Sequence, residues 1–260
     1  MRKNRDKEIQ KIFEIADDSL QGIIGYHMYV SAMENAADDH QMMANLPNQQ
    51  FQMTFSWIRY YLKQSLLEAF KAPKLELYQC KILLVAMTSV FEAVLAEFVT
   101  ELNRKGFQQN LRKDRRQPNY KDYLKWAYEQ ALRCDIGDKK ALERLPQTFG
   151  IIDNARRLRN SIVHRGGLFD EIYERQIMNY KDIAVDLHPH YKQFKQNPQK
   201  AVPVIIDWQY FQRLILAHIE VLHILHNSIQ REYFGVLKGY SYKRERKPID
   251  WERILWGGKP

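Results

Sequence analysis

Residues 156–167 read RRLRNSIVHRGG. Two glycines close a run that otherwise has the build of an amphipathic helix. With about 100° of turn per residue over 151–164, Ile151, Ala155, Leu158 and Ile162 fall on one stripe that should face a core. Arg156, Arg159, Asn160 and His164 share the adjoining polar flank, and Asn160 stacks on His164 four residues later. Gly166 and Gly167 mark the end of the helix.

Working outward, helical periods dominate. Residues 8–43 carry apolar positions at mixed three- and four-residue steps, with Gly22 and Gly25 expected to break them. Phe55, Ile58, Leu62 and Leu66 give a clearer helix over 51–70, ended by Pro73. A long helix is predicted from Leu75 to Arg104, stopping at Gly106, then a basic polar loop over 108–119 and a helix from Tyr120 to Arg133. Pro146 should interrupt or restart the helix that begins at Lys139. Beyond Gly167 the pattern weakens. DIAVDLH (182–188) and VPVII (202–206) are short β-like runs separated by the polar stretch KQFKQNPQK, predicting a small hairpin, and His188-Pro189-His190 reads as a turn. Asp207 then reads as the N-cap of a last helix reaching about Tyr233.

The chain has 260 residues, and 40 Lys and Arg stand against 31 Asp and Glu, a formal charge of +9. That balance is compatible with an anionic partner such as nucleic acid and equally common in proteins that bind none. Cys80 and Cys134 are the only cysteines, too few for a disulfide framework or a four-cysteine zinc site, so a reducing cytoplasm is expected. The charged start MRKNRDKEIQ lacks an apolar signal core. Residues 82–99 are apolar enough to cross a bilayer, but Glu92 and Glu97 lie inside, and a buried helix of a soluble protein is the cheaper reading. No metal, cofactor or membrane is expected.

The polar flank has a definite chemistry. An RNA 2′-hydroxyl attacks its neighbouring phosphate when a base takes its proton and an acid protonates the leaving 5′-oxygen. Histidine does either near neutral pH. Arginine's planar fork fits phosphate oxygens and stabilises the added charge of the pentacoordinate state. Asparagine can hold the imidazole in one tautomer or contact the phosphate. An Arg five residues before a His means little alone: 19 arginines and 8 histidines give roughly 0.6 such pairs by chance, and Arg213 with His218 is a second one, set among apolar residues. Requiring Asn directly after the Arg lowers the expectation to roughly 0.03.

Arg159-Asn160-Ser161-Ile162-Val163-His164 resembles the RNxxxH motif of HEPN domains, the α-helical ribonuclease superfamily of toxins and phage-defence effectors. SVFEAVLAEFVTEL (89–102) resembles the first core helix of such domains. The resemblance spans about residues 75–233. It implies an all-α HEPN-type bundle (75–235) with an N-terminal helical extension (1–74), the small β-hairpin before the last helix, and a basic, aromatic tail (236–260). It implies Arg159 and His164 as the catalytic pair with Asn160 in support, and a homodimer that places two motifs across one cleft. Arg156, Arg112, Arg115 and Arg116 would contact RNA, and Glu92 would support Arg159. An antitoxin or other regulatory partner would suit such a role.

Plainer readings stand beside these. Arg159 and His164 also suit a helix C-terminus, as dipole-matched cation and cap. Arg112, Arg115 and Arg116, like the KRERK run at 243–247, suit a solvated surface. His218, His223 and His226 read as core or surface histidines rather than a metal site. Two other functions remain open: a non-catalytic HEPN-like module binding nucleic acid or a protein, and a target or partner of a separately encoded nucleotide transferase.

Overall fold

The computed structural model describes residues 6–38, 75–109, 111, 117–133, 139–178 and 183–235. Among them the chain is all-α, with seven helices: α1 Lys7–Asp38, α2 Leu75–Arg104, α3 Tyr120–Arg133, α4 Lys139–His164, α5 Glu171–Arg175, α6 Pro189–Gln196 and α7 Trp208–Phe234. The predicted helix over 51–70, the cationic loop with Arg112, Arg115 and Arg116, Cys134 and the C-terminal tail lie outside the described residues.

The last helix is the hub. α7 packs on α1, α2, α3 and α4, and α2 touches the same partners. Asp207 caps α7 as expected, its Oδ1 accepting from the Tyr210 amide at 2.7 Å. Gly235 ends it at φ 63°, a left-handed position that costs glycine nothing. α1 runs through Gly22 and Gly25 without a break, because a helix interior tolerates glycine at about 1 kcal/mol each when packing holds it. That packing is extensive: Ile9, Phe13, Ala16, Leu20 and Ile24 join one core cluster with residues of α2 and α7. The first helix is therefore built into the bundle. Its start is fastened by Gln230, whose side chain accepts from the Asp6 amide at 2.9 Å and donates to the Asp6 carbonyl at 3.1 Å. Gln79–Arg104 is long and apolar enough to cross a membrane by length and composition alone. Here Leu84, Met87, Phe91, Leu95 and Phe98 are fully buried against the other helices.

α4 is a single helix from Lys139 to His164 with Pro146 inside it. Seven consecutive residues, 152–158, are buried, so the expected polar flank does not exist over that stretch. Helices cover one side. The 168–207 segment covers the other, and this is where the expected hairpin fails to form. The two β-like runs find other partners. Ala184 donates to the Pro146 carbonyl at 3.3 Å, and the Asp186 carbonyl accepts from Arg157 Nη2 at 2.7 Å. On the second run, the Val202 carbonyl accepts from Phe169 and the Val204 amide donates to Gly167 at 2.7 Å. A single bridge, Leu168 to Pro203, is the only β pairing among the described residues. His188 begins α6 rather than a turn: its Nδ1 accepts from the His190 amide at 3.1 Å, and Pro189 takes the first helical position.

Candidate functional site

The motif occupies the last turn and a half of α4. Gly166 and Gly167 both hold positive φ, 61° and 76°, and the Gly167 amide reaches back to the Ser161 carbonyl at 3.0 Å. This closure turns the chain so sharply that Asp170 lies beside the helix end. Asp170 Oδ2 pairs with Arg165 Nε at 3.1 Å, and its Oδ1 accepts from the amides of Ile172 and Tyr173, capping α5. α5 then runs back along α4 and delivers Gln176 over Asn160.

Arg159 and Asn160 are half-buried and joined: Arg159 Nη1 donates to Asn160 Oδ1 at 3.0 Å. Asn160 Nδ2 in turn donates to Gln176 Oε1 at 3.3 Å. His164 is exposed. Together with Asn160 it lines a 210 Å³ pocket whose far wall is Tyr173 and Gln176 and whose rim is Arg165 and Asp170. Within one copy Arg159 and His164 do not touch, since five residues of helix separate them by about 140°. The rival pair is settled by burial. His218 is fully buried, its Nδ1 bonded to the Leu214 carbonyl at 2.7 Å, and Phe91 packs edge-on against it at 4.8 Å. Burial pushes its pKa down to about 4.

Arg156, expected at the RNA, is instead buried and paired within the chain. It is 6% exposed, with Nε and Nη2 on Asp153 Oδ1 at 3.0 and 2.6 Å, and Nη2 also on the Gln176 carbonyl at 2.5 Å. Arg157 is fully buried beside it, on Asp153 Oδ2 at 3.1 Å and over the Tyr173 ring at 4.9 Å. Asn154 donates to Tyr210 Oη at 2.5 Å, accepts from the Tyr173 hydroxyl, and so completes a buried polar layer between α4 and the 168–207 segment. Two of the four arginines in the quoted stretch are thus structural. Asp153 is only three and four residues away, but the carbonyls that complete the burial, of Gln176 and Asp186, lie 20 and 29 residues along the chain and could not be seen from spacing.

Glu92 is half-buried on α2, and no ion pair joins it to Arg159. Both carry charge near the Tyr120 phenol, whose pKa burial raises, with Glu92 adding to the rise and Arg159 opposing it. Arg159 Nε and Tyr120 Oη are buried without a hydrogen-bond partner. Two further polar residues stand at the motif that the sequence did not single out. Gln176 is one. Lys81 is the other: its Nζ lies 3.5 Å from the position a Cβ on Gly167 would take, and burial lowers its pKa. Neither had a local signal, since both are brought in by chain closure. Among the described residues no cluster of His, Cys, Asp and Glu is arranged to hold a metal ion. Comparison of the chain with models of protein families, with curated proteins and with solved structures finds no match.

Proposed function

We propose that this chain is a metal-independent endoribonuclease of HEPN type, acting in the cytoplasm as a toxin or phage-defence effector and working as a homodimer. The observation that carries the reading is the state of His164. It is exposed on a pocket that it shares with Asn160, and Asn160 holds the Arg159 guanidinium at 3.0 Å. In the chain's other Arg-to-His pair of the same spacing the histidine, His218, is buried in the core, while Arg213 lies at the surface on Asp186.

In this reading one His164 takes the 2′-hydroxyl proton as the oxygen attacks phosphorus. The P–O5′ bond breaks, and His164 of the second copy gives its proton to the leaving 5′-oxygen. The products are a 2′,3′-cyclic phosphate and a 5′-hydroxyl. Arg159 offers Nη2 to the charge that builds on the phosphoryl oxygens. Asn160 fixes the guanidinium and thereby acts as a positioning residue. The separation of Arg159 and His164 around the helix is the reason the proposal requires two copies.

The test is cleavage of a structureless RNA by the purified chain in EDTA. His164→Ala and Arg159→Ala should each lower the rate by about 10²-fold or more, the usual worth of a positioned acid or base. Full activity in either variant ends the catalytic assignment. A second reading, a non-catalytic module, draws support from Arg156 and Arg157, which show that arginines here can serve the fold alone. It predicts RNA or protein binding with no cleavage at all.

A further inference from the structure

We infer that the pocket beside His164 is a nucleobase subsite in which Gln176 selects a keto base, guanine or uracil, over an amino base. The inference rests on the ribonuclease reading and adds a specificity that the motif does not contain. At 210 Å³ the pocket is smaller than the roughly 300–1,000 Å³ that holds a drug-sized ligand. It suits a fragment of the size of one base or one sugar. Its rim charges cancel, because Arg165 is paired with Asp170 at 3.1 Å. A neutral occupant is therefore favoured over a phosphate, whose negative charge would demand a free cation.

Most polar groups in the pocket are already committed. Asp170 caps α5 and holds Arg165. The Ser161 hydroxyl donates to the Arg157 carbonyl at 3.2 Å. Asn160 Oδ1 is taken by Arg159, and Asn160 Nδ2 by Gln176 Oε1. Gln176 Oε1 is thus an engaged acceptor, and its Nε2 makes no hydrogen bond among the described residues. An amide nitrogen offers two donors and no acceptor. The matching base edge is one that accepts, the O6 of guanine or O4 of uracil, whereas the amino groups of adenine and cytosine would face donor to donor. Unpaired bases of single-stranded RNA are read in this way, by side-chain hydrogen bonds to an exposed edge. The Gln176 backbone is held independently, its carbonyl by Arg156 and its amide by Ile172, so the side chain can change without releasing α5.

The experiment uses the full chain and a structureless RNA of mixed sequence, with the bases on each side of every cut read by sequencing. The native chain should enrich G and U together at one flanking position. Gln176→Ala should erase that preference. Gln176→Glu, which puts an acceptor where Nε2 was, should move it toward A and C, by about tenfold in the ratio for one hydrogen bond gained or lost. Thermal midpoints of both variants close to the native value certify the fold. Cleavage without base preference by the native chain overturns the inference and leaves the ribonuclease reading standing. So does an equal fall in rate at all four bases, which would make Gln176 only a support for Asn160. No cleavage by the native chain removes the ribonuclease reading, and this inference with it.

Discussion

Asp153 shows what a buried charge does when everything around it depends on it. At 2% exposure it accepts from Arg156, Arg157 and the Met178 amide, the last at 3.3 Å. Replacing it leaves two guanidiniums in the interior with their largest partner gone. Asp153→Ala should therefore cost about 3–5 kcal/mol, read as a lowered urea midpoint. Arg165→Ala at the pocket rim removes an ion pair whose members are 47% and 33% exposed. That change should cost less than about 1 kcal/mol, because water screens it. If the two variants lose similar stability, the division of this stretch into structural and functional arginines is wrong.

At the scale of elements, one glycine decides how the 183–188 run lies on α4. A Cβ placed on Gly150 would stand 2.0 Å from the Ala184 carbonyl oxygen. A backbone atom cannot swing aside as a side-chain end can. In an exposed helix Gly→Ala gains about 1 kcal/mol. Here Gly150→Ala should instead destabilise by about 2 kcal/mol or more through overpacking, measured as a fall in Tm. It should also weaken the proposed cleavage, since the displaced run carries Asp186, whose carbonyl accepts from Arg157 in the layer beneath the motif. A neutral or stabilising result would mean that the run is not seated this closely. The same element explains the missing hairpin. Its Ala184 amide and Asp186 carbonyl bond to α4 and its His188 amide to the Tyr173 hydroxyl, so those groups are not offered to a second strand.

At the scale of the whole molecule, acid should unfold the bundle before any carboxylate is implicated. Burial holds His188 and His218 down at about 4, while an unfolded histidine takes its proton near pH 6.5. Both are neutral in the fold, and the unfolded chain binds more protons between those values. Stability is thus full above about pH 6.5 and falls as the pH drops toward 4, by about 3 kcal/mol per histidine. Urea midpoints at pH 7.5 and 5.0 should differ accordingly, and His218→Leu should shrink the difference. A midpoint unchanged by pH would contradict their burial. The dimer is tested by light scattering, where the proposed enzyme should run at twice the 31.1 kDa chain mass. A monomer at working concentration would leave His164 without its mate.

Sequence by itself determined the all-α class, the bounds of α2 and α3, the Asp207 cap and the glycine stop after His164. These follow from periods and end signals that act within a few residues, and such short-range terms survive any arrangement of the rest. It also singled out Arg159, Asn160 and His164, because their order along one helix is a local fact. Only the tertiary structure decided which arginines point inward. Arg156 and Arg157 are claimed by Asp153, Gln176 and Asp186, and two of those contacts close across 20 or more residues. It likewise brought Gln176 and Lys81 to the motif and cancelled the hairpin. Desolvation is the common reason: a polar group's role depends on what excludes water from it, and that is a property of the packed chain.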